Sequence, residues 1–184
     1  MGIMVSVETL RRYPFFAGLD QGTLKSLAMT GEVITAKKGD WLFQEDDPAQ
    51  ALYLIQAGSV EIRIALDAMH SRHAVVCSLG KGEILGWSSL TEPYIYSSGA
   101  CASTNARLAK LHGPKFRQLM DGHPDIGYKI MGRVASIVAS RLDDLSVCLA
   151  SLVEGGPIQQ LVYGPPPPAL GGGLPTGLKH PRAI

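Results

Sequence analysis

The stretch that decides the fold is residues 37–64, KKGDWLFQEDDPAQALYLIQAGSVEIRI. Lys38-Gly39-Asp40 marks one turn and Glu45-Asp46-Asp47-Pro48 a second. Ala51 to Ile55 reads as a buried strand, and Gly58 closes a tight connection. Val60, Ile62 and Ile64 then alternate with Glu61 and Arg63, the period of two expected of a strand with one face exposed. Short strands with closely spaced turns indicate an antiparallel β-roll, or jelly roll.

Working outward, the pattern continues on both sides. Asp67 to His73 is a polar loop, Ala74 to Leu79 another strand, and Gly80 and Gly82 punctuate the next turn. Ala106 to Leu111 is the last clear strand. Before Glu32 the chain is helical. Ser6 can cap a short helix, Pro14 breaks it, and Phe15 and Phe16 offer bulk for packing. Asp20 can cap a second helix with Leu24, Leu27 and Ala28 on one face, ended by Gly31.

At Gly113-Pro114 the period becomes helical again, with Phe116, Leu119 and Met120 sharing a face. Gly122-His123-Pro124 breaks that helix and begins a longer one, from about Asp125 to Val153. The long helix carries two apolar stripes. One holds Ile126, Ile130, Val134 and Ile137. The other holds Met131, Ala135, Val138, Leu142, Leu145, Leu149 and Leu152, in alternating steps of four and three. The second stripe is a heptad seam. One stripe can pack on the roll and the other on a partner helix; alternatively both serve one larger core. The seam favours a homodimer, because leucines near a free helix end have little else to bury against. After Glu154 come Gly155-Gly156-Pro157, a proline run at 165–168 and glycines at 171–173, a tail either flexible or partner-bound. The expected organisation is mainly β with helices: a helical segment 1–30, a β-roll 31–112, helices 113–154 including the dimer helix, and the tail 155–184.

Composition narrows the function. Of 184 residues, 46% are apolar and 18% charged, as in an ordinary globular protein. Seventeen Lys and Arg against sixteen Asp and Glu leave +1, with no basic stripe for nucleic acid. The N-terminal apolar stretch is too short for a leader or a membrane span, so no membrane insertion is expected. Cys77, Cys101 and Cys148 lie far apart, which fits reduced thiols in the cytoplasm rather than a disulfide framework.

Five segments together carry a resemblance: PFFAGLDQGTLKSLA at 14–28, the opening stretch at 37–64, GKGEILGWSSL at 80–90, ARLAKL at 106–111 and HPDIGYKIMGRVASIVASRL at 123–142. In order and spacing they resemble cyclic-nucleotide-binding domains, and in particular the sensory half of Crp–Fnr regulators. Gly39, Gly58, Gly82 and Gly86 stand at the family's turn glycines, and Asp46 stands where the family usually has glycine. The resemblance implies a cassette that binds a cyclic nucleotide: a tight turn, a one-turn helix, a Glu for the ribose and an Arg for the phosphate. Here the position of the Glu holds Trp87, and that of the Arg holds Tyr96, or Ser97 if the register slips by one. Lys81 is the nearest cation in that stretch. Losing an Arg opposite a buried phosphate costs about 2–5 kcal/mol, which disfavours cyclic nucleotide as the cofactor.

Three readings of the cassette stay open. Gly86, Trp87, Ser88, Ser89, Tyr96 and Ser97 bind a different small ligand; or Trp87 and Tyr96 fill an emptied pocket; or Cys77 with His70 or His73 holds haem or a metal. The family's transcription factors continue into a helix-turn-helix domain, whereas a Pro/Gly stretch follows here, so direct DNA binding is not expected. No His-x-His, no Gly-x-Ser-x-Gly and no Walker loop occurs, and Asp143-Asp144 sit side by side on a helix without converging on one site. An enzyme is not expected. The expectation is a dimeric regulatory or sensor domain read by an unidentified protein partner. The alternative is a structural or interaction subunit that uses the roll as scaffold and the tail as anchor.

Overall fold

The computed structural model describes residues 3–153, with side chains as far as Val147. The tail expected at 155–184, and the side chains of Leu149 and Leu152, lie outside the described residues. The strands are β1 (Ile3–Met4), β2 (Gly31–Ala36), β3 (Trp41–Phe43), β4 (Ala51–Ala57), β5 (Val60–Ala65), β6 (His73–Leu79), β7 (Ile84–Leu85), β8 (Gly99–Ala102) and β9 (Ala106–His112). The helices are α1 (Val7–Arg11), α2 (Gln21–Ala28), α3 (Gly113–Gly122) and α4 (Pro124–Val153), with one-turn helices at Pro14–Phe16 and Trp87–Ser89.

Two antiparallel sheets face each other, in the orders β1-β2-β9-β4-β7 and β3-β8-β5-β6. β4 explains the two cores. Its residues 51–55 are all buried, and the pleat sends alternate side chains to opposite faces. Leu52 and Leu54 join Leu10, Phe16, Leu27, Phe116 and Ile130 beneath the helices. Tyr53 and Ile55 join Val60, Leu79, Leu85 and Leu108 between the sheets. A strand covered on both faces reads as an unbroken apolar run, which is what ALYLI at 51–55 is.

The helix ends follow the expected chemistry. Ser6 Oγ accepts from the Thr9 amide at 3.1 Å, and Asp20 Oδ1 from the Thr23 amide at 3.0 Å. The hydroxyl and amide of Thr23 hold the Asp20 carboxyl below its ordinary range. At α3, Pro114 sits in the first turn and His112 Nδ1 accepts from the Lys115 amide at 3.3 Å. Arg133 on α4 donates to the carbonyls of Phe15 and Ala17, tying the long helix to the first one-turn helix.

Several details differ from the sequence reading. Gly31 opens β2 instead of ending α2, whose C-cap is Met29. His73 begins β6 and its ring lies 4.9 Å from that of Trp41, so the polar loop ends one residue earlier. Ile64 is 38% exposed, although alternation points it inward with Val60 and Ile62. The register shifts between Ile62 and Arg63, and beyond that bulge the strand no longer follows the inward alternation. β1, β3, β7 and β8 were not anticipated, because two to four residues are too few to display a period.

On α4 the first stripe packs into the helical core: Ile126, Ile130 and Val134 are buried and Ile137 partly so. The second does not. Met131 is 37% exposed, Val138 43%, Leu142 63% and Leu145 38%, and Ala135 is exposed as well. Among the described side chains, as far as Leu145, the two stripes therefore do not share one core.

Candidate ligand cassette

β7 delivers the chain to Gly86, which adopts φ +80° and starts the one-turn helix Trp87–Ser89. A Cβ at Gly86 would stand 2.7 Å from the Ala51 carbonyl oxygen, so the turn requires glycine for its conformation and its closeness. Gly39, Gly58 and Gly82 also have positive φ, and Asp46 takes φ 68°.

A cavity of about 20 Å³ lies beside this turn. Gly86, Trp87, Ser88, Tyr96 and Ser97 line it, so five of the six expected residues converge. Ser89 does not line it. It is fully buried against Gly113 at the start of α3, and its Oγ lacks a hydrogen-bond partner. The cavity holds roughly one water.

Tyr96 accounts for the small volume. Its ring stacks on Phe43 with centroids 3.7 Å apart and planes 14° from parallel. Its hydroxyl donates to the Ala51 carbonyl at 2.8 Å and accepts from the Ala51 amide at 3.1 Å. Only 3% of it is exposed, and burial raises its pKa. Tyr53 continues the aromatic layer, 5.7 Å from Phe43.

Sequence reasoning missed the cation. Lys81 does not line the cavity; Arg141 of α4 does. Its guanidinium lies 4.0 Å over the Trp87 ring and donates to the Ile84 carbonyl at 3.0 Å. A signal existed: Arg141 is four residues beyond Ile137 and so continues the stripe that faces the roll. From α3, Arg117 donates to the Ser89 carbonyl and lies 3.9 Å over Tyr94. Arginines from both helices thus hold the cassette by its backbone.

Two titratable groups near the cassette are buried. Glu83 is 7% exposed; its carboxylate accepts from the Gly80 amide at 2.6 Å. Burial raises its pKa, while that amide and Arg141 pull the other way. Burial pushes the Cys77 thiol up to about 11, so it stays protonated near neutral pH. Among the described residues no group of three His, Cys, Asp or Glu is placed to hold a metal ion. No helix among them is long and apolar enough to cross a membrane.

The geometry agrees with comparisons against known proteins. The family model for the cyclic nucleotide-binding domain matches residues 33–123. A solved structure from Geobacter metallireducens, described as a putative cyclic nucleotide-binding protein, is 34% identical with a TM-score of 0.68, covering 76% of this chain and 99% of that one. A CRP-like cAMP-activated global transcriptional regulator of Mycobacterium tuberculosis is 23% identical over 84% of this chain and 68% of its own length. A voltage-gated inwardly rectifying potassium channel of Rattus norvegicus is 32% identical over 62% of this chain but only 12% of the channel. The similarity thus extends to relatives of different overall length, and the chain belongs to the cyclic nucleotide-binding domain family.

Proposed function

We propose that this chain is a cytoplasmic regulatory domain that works as a dimer and does not take cyclic nucleotide in its family's usual way. Tyr96 carries the reading. A ring stacked on Phe43 and bonded twice to Ala51 occupies the position where the family's phosphate-binding Arg is expected. Trp87 stands in place of the ribose-binding Glu and is covered by Arg141. A cavity of about 20 Å³ has no room for a nucleotide, so a ligand must first displace aromatic side chains from their buried places. The exposed seam Met131, Ala135, Val138, Leu142 and Leu145 supports the dimer. Because Arg141 adjoins Leu142, a shift of the dimer helix would be felt at Trp87.

Thermal unfolding against cyclic mono- and dinucleotides tests the ligand side. A ligand at a hundred times its Kd adds about 2.7 kcal/mol, a rise of several degrees. No rise above one degree is expected at millimolar nucleotide; a rise of about five degrees with any of them overturns the reading. For the dimer, sedimentation should give twice the chain mass for the wild type and one chain mass for Leu142→Asp/Leu145→Asp. A monomeric wild type removes the dimer.

A further inference from the structure

The seam begins one step earlier than its leucines suggest. Tyr128 lies three residues before Met131, in phase with Met131, Ala135, Val138, Leu142 and Leu145. It is 84% exposed, an unusual setting for so large a ring. Beside it lies a groove of about 440 Å³ between the loop that leaves the cassette and the α3–α4 corner.

In a parallel pair of helices, a knob at an a position i, as Tyr128 is three residues before Met131, enters a hole made by residues i−4, i−1, i and i+3 of the facing helix. For a knob at 128 those residues are Pro124, Gly127, Tyr128 and Met131, and all four line the groove, with Leu90 and Met120 beside them. Glycine at 127 leaves one corner of the hole without a side chain. A Cβ there would already be 3.4 Å from that of Met120. We propose that the groove receives the ring of the partner's Tyr128, so that two copies of this chain exchange tyrosines at the N-terminal end of a parallel α4 pair.

The inference rests on the dimer proposed above and adds its register and direction. It also brings area. A tyrosine side chain covers on the order of 150–250 Å², about a fifth to a third of the ~800 Å² per partner in a stable interface. Leu90 follows the cassette's one-turn helix, so the partner's ring rests against the segment leaving the cassette.

The test is sedimentation equilibrium on the full chain as wild type, Tyr128→Ala, Tyr128→Phe and Leu142→Asp/Leu145→Asp. Because Tyr128 is exposed, circular dichroism of its variants should match the wild type. Y128A should raise the dimer Kd by about 30-fold or more, the scale of a buried aromatic anchor. Y128F should stay within about threefold, since the ring and not the hydroxyl fills the hole. Dimeric wild type, monomeric L142D/L145D and an unchanged Kd for Y128A overturn the groove proposal alone. A monomeric wild type overturns the groove and the dimer together.

Discussion

Replacing Tyr96 by Phe removes one oxygen atom from a buried position, and the structure sets the cost. The hydroxyl serves the Ala51 carbonyl at 2.8 Å and the Ala51 amide at 3.1 Å. Ala51 is 1% exposed, so water does not readily replace the lost partner. Each buried backbone group left without a partner costs about 1–3 kcal/mol. Greater hydrophobicity of Phe returns part of this, and the Phe43 stack is kept. The expected net loss is about 2–3 kcal/mol, or roughly 4–12 °C in Tm for a domain of this size. Urea unfolding at fixed protein concentration measures it, with concentration held constant so that the proposed dimer adds the same amount to each variant. A second variant, Tyr96→Ala, should cost more, about 3–5 kcal/mol, because it opens a cavity. If Y96F is neutral or stabilising, the two hydrogen bonds to Ala51 do not hold Tyr96 in place.

Three further outcomes follow from other residues. Because burial raises the folded-state pKa of Glu83, the folded state holds its proton to higher pH than the unfolded chain, so this group's contribution falls as pH rises through the raised value. Tm curves across the acid-to-neutral range should show Glu83→Gln losing less stability than the wild type; parallel curves would contradict this. Arg141→Ala frees α4 from Trp87 and the Ile84 carbonyl, so amides near residues 138–147 should lose hydrogen-exchange protection while those near Ile130 keep theirs. Equal loss at both ends would refute a local tether. Gly58→Ala should cost more than about 3 kcal/mol by denaturant unfolding, because φ is +81° and a Cβ would stand 2.3 Å from the Asn105 carbonyl oxygen; a loss below about 1 kcal/mol would show that the turn relaxes.

Much of the fold is legible in the sequence because its signals are local. Ser6 and Asp20 cap helices, Pro114 opens one, and Gly39, Gly58, Gly82 and Gly86 take positive φ as their turns require. The stripes of α4 separate into a buried and an exposed set as their spacing predicts. Ile64 and the shortest strands were hidden because a bulge and a two-residue pairing depend on the neighbouring strand. In the cassette, residues near in sequence to Gly86 and Tyr96 were found, and their lining partners Phe43, Ile62, Ser98 and Arg141 were not. Phe43, Ile62 and Arg141 come from distant elements, and only tertiary folding sets them beside the turn. Ser89 lies off the cavity lining, because it is buried against Gly113 at the start of α3.

The central claim is a receptor fold whose nucleotide position its own aromatic side chains occupy, and titration calorimetry tests it most directly. Cyclic AMP injected into the 184-residue wild-type chain at pH 7 should give no binding heat up to millimolar ligand. Saturable binding with a micromolar Kd would contradict the account, because it would mean that Tyr96 and Trp87 yield the site at little cost.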